Sequence, residues 1–482
     1  MTLSSTDKPW ITRFAPSPTG ILHLGNVRTA VLNALLAKKS DGLFLLRLED
    51  TDQERSCFTF EASLLWSLAW LGLVPDQPVR HQSLRLDAYA QAVAGLYARG
   101  RAYPCFCSET DLEQARQQAS AAGNPPRYSG TCAALSAQER KERMQAGEPH
   151  VMRFCTPADR DVHFQDLIKG PITVPTSAFG DFVLLRSSGW PSYNLAVVVD
   201  DRDMGVTLVL RGEDHLTNTA RQILLYEALD APAPRFAHHG LLVDREGKKL
   251  SKRSGALGIP DCMQRGLEPL AVVHYLAALS GSLSQKKIYA DLDAMAQDFN
   301  PRALGRGNAV MSLDELEHLS ARYFRATEVG DLCARVHAHL PATDPWHSLD
   351  VAWQEALVAS VRDTVANVRD LCAQLVFFTQ PEVAYTPAVL EALHPDHAVL
   401  QALDDILAAY NQEKRLSMDE AGHVFRQVAT VTKIQGRALY HPIRLALTGT
   451  LAGPELTALM TLLPVSWLRQ RLSALVTFIS KE

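Results

Sequence analysis

The sequence predicts an α/β protein, a parallel-sheet domain divided by an α+β insertion and followed by an all-α C-terminal region. Three observations carry this. Strand-like and helical patterns alternate from Trp10 to Arg99 and again from Tyr193 to Val243. A run of short strands between Tyr103 and Ser192 interrupts them. From Leu267 to Phe478 the apolar spacing is helical.

Taken in order, Trp10 to Phe14 carries aromatic and β-branched residues suited to a buried strand, and Pro16, Pro18 and Gly20 then force a turn. From Gly25, residues Val27, Ala30, Val31, Ala34 and Leu35 recur at helical spacing. His23 and Asn26 therefore stand at a helix N-terminus, whose unpaired N–H groups attract anions such as phosphate. The spacing is neither G-x-G-x-x-G nor G-x-x-x-x-G-K-[ST], so dinucleotide-fingerprint and phosphate-loop mechanisms are unsupported. In isolation the turn also fits an ordinary strand-to-helix connection with a surface histidine.

Leu43 to Leu48 reads as a strand ending at Glu49 and Asp50, and the helical patterns Phe58 to Leu71 and Leu84 to Arg99 follow. Carboxylates at the carboxyl end of a parallel strand stand where ligands of such sheets collect. Tyr103 to Cys107 opens the insertion, which holds the strand patterns Val151 to Phe154, Val162 to Phe164 and Phe182 to Leu185. Tyr193 to Val199 resumes the apolar pattern, Asp200 to Asp203 reads as an acidic turn, and Val206 to Leu210 is a strand delivering Arg211. The helix Thr217 to Leu229 and the strand Gly240 to Val243 lead into a polar loop, Asp244 to Ser254. Arg245, Lys248, Lys249, Lys252 and Arg253 crowd that loop, and so many cations repel unless solvent or a polyanion neutralises them. Leu332 to Leu340, Trp353 to Val361, Val368 to Phe377 and Pro464 to Ile479 are helical stripes of ordinary helix-helix core.

At 482 residues two to four domains are expected. With 47% hydrophobic and 21% charged residues the composition is that of a globular protein and excludes general disorder. Met1 to Lys8 lacks an apolar signal region, no run of eighteen apolar residues exists, and eight mostly isolated cysteines make no disulfide framework. A cytoplasmic address without membrane contact is expected. The net charge of −5 argues only weakly against a nucleic-acid partner, because phosphate binding depends on local potential.

Together His23-Leu24-Gly25-Asn26 and Lys249-Leu250-Ser251-Lys252-Arg253 resemble the HIGH and KMSKS signatures of class I aminoacyl-tRNA synthetases. Arg13 to Gly20 (RFAPSPTG), Arg47 to Asp52 (RLEDTD) and Arg211 to His215 (RGEDH), in that order, resemble the glutamyl-tRNA synthetase branch. The likeness covers nearly the whole chain, with a clear late piece at Gly436 to Gly449. Asn26 and Arg253 depart from the general class I signatures and are tolerated in this branch.

The resemblance implies a Rossmann-type catalytic domain in two halves, 1–104 and 193–255, split by an acceptor-stem-binding insertion at 105–192. A stem-contact helical domain at 256–330 and an all-helical anticodon-binding region at 331–482 follow. The implied reaction is ATP-dependent ligation of L-glutamate to the 3′ end of tRNA(Glu) through a glutamyl-adenylate, by a monomer, with Mg²⁺ accompanying ATP. Activation that requires bound tRNA is implied as well.

His23, Asn26, Lys249 and Lys252 are the implied catalytic residues, with Pro16, Gly20, Gly25 and Ser251 completing the ATP site. Glutamate has two carboxylates and one ammonium, so its pocket needs cations and an anion. Arg13, Arg211, Tyr193 and Glu49 meet that demand, and the family's pocket adds Ala15 and Ser17. Cys105, Cys107, Tyr128 and Cys132 resemble a C-x-C…Y-x-x-x-C zinc site. Some relatives supply a histidine two residues after the last cysteine, where this chain has Ala134, so Tyr128 or no protein group completes the shell.

The helical tail separates this reading from a glutaminyl enzyme ending in β-barrels and from a truncated glutamyl-queuosine enzyme. A non-discriminating enzyme that also charges tRNA(Gln), a nucleotidyltransferase of the same fold acting without tRNA, and a non-catalytic RNA-binding paralogue are the alternatives. Arg437, Tyr440 and Arg444 are candidates for anticodon contact, since unstacked bases are read by stacking and edge hydrogen bonds.

Overall fold

Strand β1 (Ile11–Phe14) pairs in parallel with β2 (Leu43–Leu48), placing Arg13 opposite Leu45, and β3 (Arg80–His81) extends the sheet beyond β2. The computed structural model describes residues 9–51, 58–121, 123, 127–248, 257–385, 397–451 and 453–479. Helix α1 (Leu24–Lys39) crosses from β1 to β2 and is apolar on almost every side, as a helix enclosed by neighbours must be. Its two buried polar side chains reach groups distant in sequence. Arg28 donates to the Gly240 carbonyl at 2.8 Å and to Ser280 Oγ at 2.6 Å, and Asn33 donates to the Leu210 carbonyl at 3.1 Å. At Gly42, where the chain enters β2, a Cβ would lie 2.0 Å from the Trp10 carbonyl oxygen, so only glycine allows that approach.

Helices α2 (Phe58–Trp70) and α3 (Leu86–Ala98) lead to an antiparallel sheet of β4 (Ala102–Cys105), β5 (Val151–Phe154) and a later strand, β8 (Val183–Leu185). Helices α4 (Glu109–Ala121) and α5 (Ala137–Gln145) lie between β4 and β5 in sequence, and Ser136 and Glu139 form a reciprocal capping box on α5. The hairpin of β6 (Asp161–Asp166) and β7 (Gly170–Pro175) joins a second sheet instead. There β10 (Arg235–His239) runs parallel to both β6 and β9 (Leu208–Gly212), giving the order β7-β6-β10-β9. Helices α6 (Tyr193–Asp203) and α7 (Leu216–Ala228) precede and follow β9.

The Thr207 N–H donates to the Ile11 carbonyl at 3.0 Å, tying the entry to β9 to β1. The order therefore reads outward in both directions from β1 and β9, and ligands of doubly wound sheets bind at the carboxyl ends beside that reversal. A short parallel pair, β11 (Leu242–Val243) with β12 (Ala309–Val310), lies beyond.

The expected α/β class with a helical C-terminal region is what the structure has. Some element readings are corrected. Asp200 to Asp203 is the last turn of α6 rather than a loop, with Asp200 and Asp201 buried. The strand expected at Gly240 is reduced to Leu242–Val243, and the longer strand stands before it at Arg235–His239. Its half-buried arginine and two buried histidines hide a largely buried strand from a hydrophobicity reading.

Residues 1–265 with 269–316 form one compact unit, and 266–268 with 317–482 form another. The second unit is helical throughout its described residues, with one isolated bridge between Arg415 and Pro464. Its core gathers Phe324, Trp346, Leu357, Phe378, Leu403, Val424 and Leu468. Buried Arg471 donates to the carbonyls of Phe377, Gln380, Pro381 and Leu447, closing helix ends that would otherwise stay unsatisfied. No helix among the described residues is long and apolar enough to cross a membrane.

Candidate active site

A cleft of about 470 Å³ opens at the carboxyl ends of β1, β2 and β9. All six residues expected to hold the amino acid, Arg13, Ala15, Ser17, Glu49, Tyr193 and Arg211, line it. So do Pro16, His23, Gly25 and Asn26, expected on the nucleotide side, whereas Gly20 is not part of its wall. Lys249, Ser251 and Lys252 lie outside the described residues.

The two arginines are fixed in different ways. Arg13 Nε donates to Asp201 at 3.2 Å, and Arg47 donates to the same carboxylate and, at 3.2 Å, to Glu49. All four groups are buried or nearly so. Burial would push Asp201 upward, but Arg13 and Arg47 hold it below the ordinary carboxylate range. Glu49 is pushed up, chiefly by burial and against the pull of Arg47 and Arg13.

Arg211 is paired with no carboxylate among the described residues. It donates to Thr219 Oγ1 at 2.8 Å, Gln222 Oε1 at 2.7 Å, His238 Nε2 at 3.2 Å and the Tyr193 hydroxyl at 3.4 Å. The Tyr193 hydroxyl lies 3.0 Å from His215 Nδ1, and burial followed by the Arg211 charge lowers His215 to about 4, so this partner is neutral too. Burial holds Arg211 itself below its ordinary value. A buried guanidinium with neutral hydrogen-bond partners is a site completed by an anion.

On the opposite side His23 is the N-cap of α1, in extended conformation, and no acidic residue occupies the first turn. A Cβ on Gly25 would stand 3.1 Å from two atoms of the His23 ring, so the glycine lets the imidazole lie across that turn. Helix N-terminus, imidazole and Asn26 amide together suit a phosphate chain. His239, also on the wall, is lowered to about 3 by burial and the Arg28 charge; its Nδ1 donates to the Gly240 carbonyl at 2.9 Å.

Apart from the cleft, Cys105, Cys107 and Cys132 present sulfurs that all lie within 4.8 Å of one another. Cys107 and Cys132 Sγ are 3.6 Å apart, and the Tyr128 hydroxyl lies 3.3 Å from Cys105 Sγ and 3.7 Å from Cys107 Sγ. Zinc with bonds of about 2.3 Å needs thiolates roughly 3.8 Å apart, so this set fits a tetrahedral ion. The hydroxyl also accepts the Cys132 N–H at 2.8 Å, and Arg153 covers the Tyr128 ring at 4.0 Å. Both contacts favour an oxygen aimed into the cluster.

Sequence reasoning gave no role to Arg47, Asp201 or His215. Asp201 carried a usable signal, because Asp200-Asp201 directly continue Val197-Val198-Val199 at helical spacing. Acids on a helix with so little polar surface need buried cationic partners.

The model of class I tRNA synthetases for E and Q, catalytic domain, matches residues 10–318, and an anticodon binding domain model matches 331–476. A glutamate–tRNA ligase of Desulfitobacterium hafniense is 37% identical, covering 96% of this chain and 97% of its own. Glutamate–tRNA ligase 2 of Alkalilimnicola ehrlichii is 40% identical, with 96% of each chain covered. A crystal structure of a glutamate tRNA ligase from Elizabethkingia meningosepticum, in complex with its amino acid, superposes with a TM-score of 0.86 at 27% identity, covering 98% of this chain and 99% of its own.

Proposed function

The chain belongs to the class I tRNA synthetases of the glutamate and glutamine branch, and on that premise we propose that it activates L-glutamate with ATP and transfers the glutamyl group to tRNA(Glu). In the first step a glutamate carboxylate oxygen attacks the α-phosphorus of ATP, forming a mixed anhydride and releasing pyrophosphate. In the second a hydroxyl of the terminal tRNA ribose attacks the glutamyl carbonyl and AMP leaves. Neither step needs a covalent protein nucleophile, so the residues act by orientation and charge.

Buried Arg211, with its neutral partners, is the observation that carries the reading, because it demands an anion in a cleft already holding Arg13 and Glu49. Arg13 and Arg211 receive the two carboxylates, Tyr193 and Ser17 complete the polar wall beside Ala15, and Glu49 receives the ammonium. His23 and Asn26, with Pro16 and Gly25, hold the ATP phosphates at the start of α1. Lys249 and Lys252, with Ser251, neutralise the growing charge on the α-phosphate and pyrophosphate. ATP enters as its magnesium complex. A zinc ion held by Cys105, Cys107, Cys132 and Tyr128 would shape the insertion and take no part in the chemistry. The insertion receives the acceptor end, and residues 331–482 receive the anticodon.

Pyrophosphate exchange tests this directly. Exchange should require glutamate together with tRNA(Glu), and glutamate should be esterified to that tRNA. Exchange independent of glutamate would favour a nucleotidyltransferase and sink the assignment.

A further inference from the structure

Arg211 is oriented from behind by a chain of side chains that crosses three adjacent strands. Its Nε donates to His238 Nε2 at 3.2 Å, and His238 Nδ1 lies 2.6 Å from Asp166 Oδ2, with the His238 and Asp166 side chains wholly buried. Strand register makes this alignment, pairing His238 with Arg211 across β10 and β9, and Phe236 with Asp166 across β10 and β6.

His238 Nε2 also lies 3.0 Å from Thr219 Oγ1. Because Arg211 can only donate, Nε2 accepts from its Nε, and the ring is then neutral with its proton on Nδ1, donated to Asp166. Asp166 is fixed in turn, its Oδ1 accepting the backbone N–H groups of Ile168 at 2.9 Å and Lys169 at 2.7 Å.

We propose that Asp166 and His238 are positioning residues for the carboxylate-binding guanidinium: Asp166 sets the tautomer of His238, and His238 sets the direction of Arg211, so that glutamate affinity depends on an aspartate that never touches it. The proposal rests on the reading of Arg211 as a ligand of a glutamate carboxylate.

The near-isosteric change Asp166→Asn separates this role from packing. The backbone donors of Ile168, Lys169 and, at 3.3 Å, His238 must keep the amide oxygen, which turns the amide NH₂ toward His238 Nδ1. Nδ1 then has to accept and the ring proton moves to Nε2, where Thr219 Oγ1 can take it but the Arg211 Nε–H loses its acceptor. The guanidinium must turn away.

In the full chain, with tRNA present, Asp166→Asn should raise the KM for glutamate by about tenfold or more while the KM for ATP changes less than about twofold. Nitrogen NMR of ¹⁵N-histidine-labelled protein should show the His238 proton moving from Nδ1 to Nε2. A second pair stands if that variant folds poorly. His238→Leu should weaken glutamate similarly, and His238→Gln, which can offer Arg211 an oxygen, should restore most of the affinity.

Arg211→Lys serves as the reference. If it weakens glutamate while Asp166→Asn changes neither tautomer nor KM, the relay is wrong and the functional reading survives. If Arg211→Lys leaves glutamate untouched, both fall. Equal loss for glutamate and ATP in Asp166→Asn, or a His238→Gln no better than His238→Leu, would reduce the pair to sheet structure and overturn the proposal.

Discussion

Arg13 and Arg211 face one cleft with opposite electrostatic backing, Arg13 against the Asp201 carboxylate and Arg211 against neutral groups. Removing Arg13 therefore leaves two defects, an unmatched substrate carboxylate and an Asp201 with only Arg47 to balance it. Arg13→Ala should weaken glutamate binding roughly 10²-fold, about 2–3 kcal/mol, and ATP far less. Equal losses measured by titration with each substrate would refute the assigned role. Lys252→Ala should slow adenylate formation by roughly two orders of magnitude, on the order of 3 kcal/mol, with glutamate affinity little changed in single-turnover measurements. A matched loss of glutamate affinity would make Lys252 a binding residue instead. Arg13, His23 and Glu49 were legible because each sits inside a compact motif. Arg47 and Asp201 are partners across 154 residues, and no local spacing announces a pairing made only when two halves of a sheet close.

Among the elements, those with ordinary amphipathic or apolar patterns were readable, and two strands whose histidines or prolines break that pattern were not. Strand β10 was missed because His238 and His239 occupy positions where a buried strand normally places aliphatic side chains. Strand β7 was missed because prolines stand at both its ends, Pro171 and Pro175, where they read as turn residues. The cysteine cluster was legible in its spacing, and the structure adds that its own core is small: Tyr103, Cys105 and Cys132, flanked by Phe106, Tyr128 and a few others. So little apolar surface holds three sulfurs together only weakly, and a bound ion would supply the missing cohesion. Burial raises Cys107 to about 11, so ion binding must displace its proton and should weaken as pH falls. Protein purified without chelator should contain about one zinc per chain, and Cys105→Ser should lose most of it by elemental analysis while ATP binding stays intact. Near-absence of zinc from the unmutated chain would end the claim.

At the scale of the molecule, an acidic body with a net charge of −5 that binds tRNA must do so through local potential, and the proposed function divides that work between two units with separate cores. The first unit holds the cleft and its arginines. In the second, Arg437 and Tyr440 are exposed on the helix Arg437–Thr448, Tyr440 packing edge-on against Phe425 at 5.5 Å. Arg444, also a candidate from sequence, is occupied otherwise, donating to the carbonyls of Gly453 at 3.2 Å and Pro454 at 2.7 Å. It braces the loop after its helix, which leaves Arg437 and Tyr440 as the exposed candidates for the proposed base contact, one offering charge and the other a stacking face. A tRNA held at its acceptor end by one unit and at its anticodon by the other gains affinity from the linkage itself, and cutting the chain removes that gain at once. A chain ending at Ala326 should lose roughly 10²-fold or more in tRNA affinity while still binding ATP, and Tyr440→Ala in the full chain should raise the KM for tRNA with little change in the KM for ATP. Charging of tRNA(Glu) and tRNA(Gln) transcripts by both proteins decides the matter. Equal charging efficiency with and without residues 327–482 would take the anticodon role from the helical unit.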